Sequence, residues 1–241
     1  MGGSSVLAEF VFFGPPHLVA IALTAAAPIG LSLWVRRAGS EKLGRVIAWT
    51  LAAALVADEL AGLGWAAARV DRWTFLRESL PLHICDAALF AAVAGLVARS
   101  DFSFEVAWFW GLGGTLQGVI TPNLPAGFPD FEFFRFFILH VGIVTSALFM
   151  ALGLGMRARP GAVWRVVVAT NIYLVLLAGV NLLLGSNYAF LCRAPAGGSP
   201  FFFLPWPWYL LTLEAGGVLI LLVLNLPFCL FRRRADRRQV S

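Results

Sequence analysis

Apolar residues fall into seven long runs, which short polar or proline-rich connections separate. An α-helix needs roughly 20 apolar residues to cross the hydrocarbon core of a bilayer. The pattern therefore predicts an all-α membrane bundle of about seven transmembrane helices, with a short third and fourth span that could be tilted or line a cavity. The predicted spans are about 15–35, 43–68, 81–98, 105–121, 134–156, 163–185 and 205–231.

The composition supports a membrane-embedded chain. Of the 241 residues, 60% are hydrophobic and 13% are charged, and the mean hydropathy is +0.83. Soluble domains carry about 25% charged residues, so the composition excludes an ordinary soluble globule. The short connections predict a single transmembrane domain over residues 1–241, with an N-terminal tail at 1–13 and a basic cytoplasmic tail at 232–241.

The basic residues predict the orientation in the membrane. With seven spans, 13 of the 18 Lys and Arg residues fall on one side. Cytoplasmic loops carry the excess of Lys and Arg, which predicts an outside N-terminus and a cytoplasmic C-terminus. The net charge of +5 then reflects topology, and we expect no nucleic-acid partner. The apolar start carries no preceding positive charge, which argues against a cleaved signal peptide. We expect a location in the bacterial plasma membrane.

Polar side chains are predicted to gather in the outer half of the bundle. Ionisable groups in spans are unfavourable in lipid, and they typically line a cavity or pair with one another. The pattern predicts a polar cavity that opens toward the outer side. The residues placed in this layer are Asp58, Glu59, His83, Cys85, Asp86, Gln117, Thr121, Asn123, His140, Asn181, Asn187 and Tyr188.

The stretch "ESLPLHICDAALF" contains the candidate nucleophile, Cys85. Ser79 is predicted to cap this helix and Pro81 to occupy its first turn. His140 lies inside another span at a similar depth, and a Cys–His pair can carry out covalent acyl transfer. A third polar group should orient the imidazole. The candidates for that role, which the sequence does not rank, are Asn123, Asn181 and Asn187.

Structural alternatives exist for these residues. Cys85 could be a small buried hydrophobic residue, or it could form a disulfide with Cys192 if both face an oxidising exterior. His140 could form a structural hydrogen bond between helices and have no catalytic role. Asp58 and Glu59 could form a proton or cation site, or could pair for helix packing. We expect His17 to be structural and Cys229 to be inert.

Several segments carry a family resemblance. They are "LPLHIC" (80–85), "GLGGTLQGVITP" (111–122), "GFPDFEFFRFFILHVGIV" (127–144), "NLLLGSNYAFL" (181–191) and "PWPWYLLTLE" (205–214). Together they resemble the YwaF-like bacterial integral membrane proteins and their animal transmembrane relatives. The resemblance implies acyl transfer, because the animal relatives move polyunsaturated acyl chains onto lyso ether phospholipids with a cysteine and a histidine.

The resemblance also implies site residues. The cysteine of the family motif LPLxxC falls on Cys85, and the histidine of FxxxH falls on His140. Two positions depart from the pattern. Asn123 stands where members often carry Asp, and Asp86 stands where a small hydroxyl residue is expected. A carboxylate at Asp86 disfavours a thiolate beside it. The substrate does not carry over, because most bacteria lack polyunsaturated ether lipids.

The predicted function is a membrane-embedded lipid acyltransferase with a thioester intermediate, acting on phospholipids and lysophospholipids without a metal or cofactor. One alternative is a lipid hydrolase, in a metal-assisted form with His83, Asp86, Glu59 and His140 as candidate ligands. The other is a non-enzymatic transporter or solute-binding protein that uses Asp58, Glu59 and Glu214. The predicted substrate-binding residues are Gln117, Thr121, Asn123, Asn181, Asn187, Tyr188 and Glu214.

Overall fold

All regular elements in the described part of the chain are helices, as the sequence predicts. The computed structural model describes residues 9–124, 126–195 and 202–240. The helices are α1 (Pro15–Ala38), α2 (Glu41–Ala67), α3 (Arg72–Thr74), α4 (Ile84–Ala98), α5 (Asp101–Trp110), α6 (Leu116–Ile120), α7 (Phe131–Leu152), α8 (Ala162–Leu184) and α9 (Trp208–Val240). A π-helical turn at Phe75–Ser79 follows α3, another at Gly111–Thr115 joins α5 to α6, and Tyr188–Phe190 forms a 3₁₀ turn.

Side-chain caps and left-handed residues set several helix ends. The Ser40 hydroxyl accepts a hydrogen bond from the Leu43 N–H at 3.2 Å before α2. The Asp130 carboxylate accepts one from the Glu132 N–H at 2.8 Å before α7. Such oxygens satisfy N–H groups that have no partner inside the helix. Gly185 ends α8 with φ 66°, a left-handed conformation that glycine adopts readily.

Five of the described helices are long and apolar enough to cross a membrane. They are Pro15–Ala38, Glu41–Ala67, Phe131–Leu152, Ala162–Leu184 and Trp208–Arg232. A sixth crossing results if Arg72–Ser79 and Ile84–Ala98, which are bent by 71°, form one broken span. The fourth predicted span contains a Gly-rich π-helical turn between α5 and α6, and the helix continues through it.

Helix α7 forms the centre of the bundle. It packs against α1, α2, α4, α5 and α6, and it is the most buried of the five long helices. Its residues Ile143, Phe149 and Met150 are inaccessible and join one apolar core with Leu89 and Phe104. Helices α8 and α9 are the least buried of the five. Side chains that project from α7 are therefore surrounded by protein.

The start of α4 differs from the sequence prediction. Ser79 lies at the end of a π-helical turn, and the N-cap of α4 is His83, with Ile84 as the first helical residue. The prediction that Ser79 caps this helix with Pro81 in the first turn is wrong. Leu80 is extended (φ −67°, ψ 144°), because proline disfavours helical backbone in the residue that precedes it. The helix is therefore interrupted between the π-helical turn Phe75–Ser79 and α4.

A buried carboxylate fastens the α7–α8 connection to α5. Glu105 is completely inaccessible. The Arg159 guanidinium donates to its two oxygens at 3.0 and 3.2 Å, and the Arg165 guanidinium does so at 3.0 and 2.8 Å. Charge-assisted bonds of this bidentate kind are strong and geometrically specific. This cluster holds the bundle at the end remote from the α4 N-terminus.

Replacing this carboxylate should loosen that end of the bundle. Glu105→Gln removes the charge and should lower the free energy of unfolding by about 1.5–3 kcal/mol, the range for hydrogen bonds to charged groups. Asp101→Asn is the matched control, because Asp101 lies on the same helix 3.9 Å from Arg159 and both side chains are largely exposed. Thermal or denaturant unfolding in detergent micelles measures both. Equal stability losses for the two variants would contradict a dominant role of Glu105.

Candidate active site

Cys85 is the second residue of α4. The first backbone bond of that helix runs from the Ala87 N–H to the His83 carbonyl, at 3.0 Å. The N–H groups of Ile84 and Cys85 have no acceptor among the described residues. Free N–H groups and the helix dipole make a helix N-terminus favourable for negative charge. The thiol therefore lies closer to the helix start than the sequence predicts.

A buried hydroxyl faces the thiol. The Thr115 side chain lies within interaction range of Cys85. Its hydroxyl is inaccessible and makes no hydrogen bond of normal geometry to any described residue. Thr115 belongs to the π-helical turn Gly111–Thr115, against which α4 and α7 both pack. Cys85 and Thr115 are thus neighbours inside the bundle.

His140 projects from α7 and has a defined tautomer. Its Nδ1 lies 2.7 Å from the Phe136 carbonyl oxygen. A carbonyl only accepts, so Nδ1 carries the hydrogen, and the Nε2 of the neutral ring has a free lone pair. The ring stacks on the Phe136 ring at a centroid distance of 4.0 Å. Only 7% of the residue is exposed. This is the tautomer that a general base requires at Nε2.

The imidazole lies against Gly118 on α6. A Cβ at this glycine would lie 2.6 Å from His140 Cδ2 and 2.9 Å from Nε2. Thr115 and Gly118 are three residues apart, and that spacing puts them on one helical face. Cys85 and His140 thus approach neighbouring turns of this face from α4 and α7. Within the described residues, no hydrogen bond joins them.

The predicted orienting amides take part in other contacts. Asn181 donates to the Tyr188 carbonyl at 3.0 Å and accepts from the Ser186 hydroxyl and the Tyr188 N–H. Asn187 accepts from the backbone of Cys192 and Arg193. Asn123 is exposed. The Phe136 carbonyl orients the imidazole instead. The sequence could not predict this role, because every residue type has a backbone carbonyl.

The remaining predicted substrate-binding residues contact neighbouring side chains. The Gln117 amide donates to the Thr121 hydroxyl at 2.6 Å, within one helical turn. Asn171 on α8 donates to the Glu214 carboxylate on α9 at 2.9 Å. A substrate-binding role for these residues, and for Asn123, Asn181, Asn187 and Tyr188, stays a prediction.

Two tyrosines hold the segment that leads into α4. The inaccessible Tyr188 hydroxyl accepts from the Leu80 N–H at 3.1 Å and donates to the Leu76 carbonyl at 2.9 Å. The Tyr173 hydroxyl on α8 donates to the Leu82 carbonyl at 2.7 Å. These bonds satisfy backbone groups that the break before α4 leaves without helical partners. The position of the thiol therefore depends on α8 and the loop that follows it.

A polar cavity of about 310 Å³ lies where α2 ends and α4 and α7 begin. Inside it, Arg135 donates to the Glu59 carboxylate at 3.2 Å. Arg135 lies within the predicted span 134–156, in the segment "FFRFF" five residues before His140, and this position is the sequence signal for a cation inside a span. The lining residues are Glu59, Gly62, Trp65, Ala66, Glu78, Ser79, Leu80, Pro81, His83, Asp86, Leu124, Phe131, Glu132, Arg135, Phe136 and Leu139.

The cysteine and metal alternatives can be compared with this geometry. Cys85, Cys192 and Cys229 are all free thiols, so the Cys85–Cys192 disulfide is not formed. Across the described residues, no three His, Cys, Asp or Glu side chains converge as a metal ligand set. The candidate ligands His83, Asp86 and Glu59 instead lie around the cavity wall.

Comparison with known proteins identifies a family. The model of the TMEM164 family matches residues 12–225. The chain belongs to the TMEM164 family. Membership and the five long apolar helices establish an integral membrane protein. The chain is also 28% identical over 159 residues to an uncharacterized protein of Treponema pallidum (strain Nichols). That match covers 63% of each chain, which is less than two thirds of the relative's length. No solved structure matches.

A methyl group at Gly118 should displace the imidazole of this family member. Gly118→Ala should lower the free energy of unfolding by about 1–3 kcal/mol, as overpacking does, and should shift the ¹⁵N resonances of His140. Gly114→Ala is the control, because a Cβ added at Gly114 would meet no neighbouring atom within 4 Å. Gly114→Ala should leave the resonances unchanged and stability equal or higher by up to about 1 kcal/mol. Unchanged His140 resonances in Gly118→Ala would refute the contact.

Removing the Tyr188 hydroxyl should release the segment before α4. Tyr188→Phe loses two hydrogen bonds and should lower the free energy of unfolding by about 1–3 kcal/mol. Amide hydrogen exchange at Leu80, whose N–H donates to this hydroxyl, should become faster. Tyr173→Phe is the comparison, since it loses one bond to a different residue and should leave exchange at Leu80 nearly unchanged. Equal exchange at Leu80 in wild type and Tyr188→Phe would contradict the assignment.

Proposed function

We propose that this membrane protein is a lipid acyltransferase, with Cys85 as nucleophile and His140 as general base. One observation carries the proposal. The Phe136 carbonyl fixes His140 in the tautomer with a free Nε2 lone pair, and the ring lies on the helical face that the Cys85 thiol also approaches. We propose that lipid binding brings the sulfur and Nε2 into contact from these neighbouring positions.

The proposed reaction has two half-reactions. In the first, Nε2 takes the thiol proton while sulfur attacks the ester carbonyl of a donor phospholipid. The ester C–O bond breaks, the lysolipid oxygen takes the proton from Nε2, and a thioester remains. In the second, the hydroxyl of an acceptor lysolipid gives its proton to Nε2 and attacks the thioester. The C–S bond breaks and the sulfur recovers the proton.

The N-terminus of α4 supplies donors for the charged intermediate. In both half-reactions, negative charge develops on the oxygen of the acyl carbonyl group. The unpaired N–H groups of Ile84 and Cys85 are next to that position. Preorganised N–H donors of this kind stabilise a tetrahedral oxyanion. The break before α4 supports this assignment, since it leaves those donors without backbone partners.

We further propose the membrane arrangement that this reaction needs. The chain would be one domain with seven crossings, in which α3–α4 is a broken span and α5–α6 is a span that contains a π-helical turn. Its N-terminus would be outside and its C-terminus in the cytoplasm of a bacterium, as the basic loops indicate. Phospholipids and lysophospholipids would then reach the site from the outer leaflet of the plasma membrane. The resemblance to YwaF-like proteins agrees with this arrangement.

A transport function is the second candidate. Asp58 is buried on α2, and its Oδ2 has no hydrogen-bond partner among the described residues. It lies close to the Glu59–Arg135 pair, and buried carboxylates in membrane helices often bind protons or cations. This candidate predicts proton or solute flux in vesicles that is indifferent to thiol-blocking reagents.

Removing Cys85 should abolish acyl transfer, and removing His140 should slow it strongly. In vesicles with an isotopically labelled donor phospholipid and a lysolipid acceptor, Cys85→Ala and Cys85→Ser should reduce labelled product to background. His140→Gln should reduce the rate by about 10²–10⁴-fold, the usual contribution of a general base. Cys192→Ser is the control, because this thiol is exposed and outside the site. Intact-mass spectrometry should show a hydroxylamine-sensitive acyl adduct on wild type and Cys192→Ser only.

The products separate the alternatives. Labelled fatty acid in place of labelled diacyl lipid would indicate that water is the acceptor, and the protein would then be a hydrolase. Unchanged lipid products in folded Cys85→Ala would refute both versions of the cysteine mechanism.

A further inference from the structure

We propose that His17 is a positioning residue, which holds the segment that the His140 imidazole packs against. This inference rests on the proposed function, because it gives His17 a part in acyl transfer and not only in folding. The sequence predicts a structural role for a histidine at the start of α1. In the structure its side chain bonds the backbone of α6 one residue after Gly118, which is the glycine that contacts His140.

Both ring nitrogens of His17 have partners. Its Nε2 lies 2.8 Å from the Val119 carbonyl oxygen, and the Phe13 N–H donates to its Nδ1 at 3.0 Å. A carbonyl only accepts, so Nε2 carries the hydrogen and Nδ1 offers its lone pair to the Phe13 N–H. Only 1% of the residue is exposed. One neutral tautomer completes both bonds, and the two bonds together fix the direction of the ring.

The bond to Val119 matters because α6 is short. The helix has five residues, Leu116–Ile120, and the last four carbonyl groups of a helix have no partner within it. The chain leaves the helix at Thr121, whose N–H bonds back to the Gln117 carbonyl at 2.9 Å. The carbonyl of Val119 instead receives its donor from α1. His17 thus ties the end of α6 to another transmembrane helix.

This tie lies directly beside the imidazole contact. A Cβ at Gly118 would lie 2.6 Å from His140 Cδ2, so ring and backbone are in close contact. A small shift of α6 would therefore change the position available to the ring. Thr115, one turn earlier in the same helical stretch, faces Cys85. A bond at Val119 thus holds the surface that both proposed reacting groups approach.

Aromatic contacts hold His17 against α7 as well. Its ring centroid lies 5.7 Å from that of Phe137 and 5.2 Å from that of Phe10. Phe137 follows Phe136, whose carbonyl and ring orient His140. The energy of ring pairs depends on their relative direction, so these contacts also favour one position of α7. His17 joins α6 to α7, and the His140 ring occupies the space between those helices.

Two substitutions separate the bonds of His17. The amide nitrogen of glutamine reaches about as far as Nε2, so His17→Gln keeps a donor for the Val119 carbonyl. The amide oxygen of asparagine reaches only as far as Nδ1, so His17→Asn keeps an acceptor for Phe13 and loses the donor. Thr24→Val is the control, because Thr24 is a buried residue of α1 whose hydroxyl bonds Ala20 in its own helix.

The first readout is the ¹⁵N spectrum of His140, which does not depend on activity. The chain has three histidines, so selective labelling gives three imidazoles in the wild type and two in each His17 variant. His17→Asn should shift the His140 resonances, whereas His17→Gln and Thr24→Val should leave them in place. In the wild type, dipolar recoupling should detect His17 Nε2 beside the Val119 carbonyl carbon.

The second readout is the rate of acyl transfer from the labelled phospholipid. His17→Asn should lower kcat and kcat/KM together by about 10–100-fold, as the misplacement of a catalytic group does. His17→Gln should recover most of that loss. A histidine with a purely structural role would change the yield of folded protein, and would leave kcat per folded molecule and the His140 resonances unchanged.

The outcomes separate this inference from the proposed function. Unchanged His140 resonances in folded His17→Asn overturn it, and so do equal shifts in His17→Asn and His17→Gln. If His17→Asn does not fold, absence of the His17–Val119 contact in the wild type overturns it. That contact, together with a wild-type His140 spectrum in His17→Gln, supports it. Displacement of His140 in His17→Asn without acyl transfer by the wild type would leave the positioning role standing and refute the acyltransferase.

Discussion

The hydrogen bonds of the Tyr188 hydroxyl hold the break in the backbone on which the candidate site depends. An interrupted helix inside a membrane is tolerated only where protein or water satisfies its free N–H and carbonyl groups. Tyr188 satisfies one group of each kind, at Leu80 and Leu76. Pro81 disfavours helical backbone at Leu80, and the two Tyr188 bonds satisfy polar groups that the resulting break leaves free. The break places the thiol at a helix N-terminus with unpaired donors around it.

Helix α7 positions two functional side chains, Arg135 and His140, on different faces. Arg135 and His140 are five residues apart, which corresponds to roughly 140° around a helix of 3.6 residues per turn. Arg135 therefore points toward α2, where it lies over Gly62, and His140 points toward α6, where it lies over Gly118. Both contacts need a glycine, because a methyl group would overlap the side chain. One rigid, buried helix thus fixes both the cavity charge and the imidazole.

The parts of the fold that hydrophobic runs determine were predictable. The helices at Pro15–Ala38 and Ala162–Leu184 agree with the predicted spans within a few residues, because length and apolar content suffice to define a membrane helix. The start of α4 was not predictable, since proline in a first helical turn and proline in an extended connector have the same local sequence. Hydrogen bonds between distant segments decide between them.

The site residues show the same division. Cys85 and His140 could be singled out by residue type and depth, and the structure brings both to one face of the Thr115–Gly118 segment. Asn181 and Tyr188 have equally suitable types and depth, yet their polar atoms bond the α8–α9 loop and the segment before α4. Depth alone does not distinguish a polar group that awaits a ligand from one that holds a loop. Only the partners of each atom do.

Asp86 illustrates how these constraints combine at one residue. Its carboxylate accepts the His83 N–H at 2.8 Å, which caps α4, and it also lines the cavity. A hydroxyl residue at this position could accept the same N–H but would bring no charge to the wall. Cys85 and Asp86 are adjacent in the first turn, so their side chains diverge by about 100°. The carboxylate can therefore close the helix end and face the cavity while the thiol faces Thr115, which gives a structural reason for an aspartate beside the proposed nucleophile.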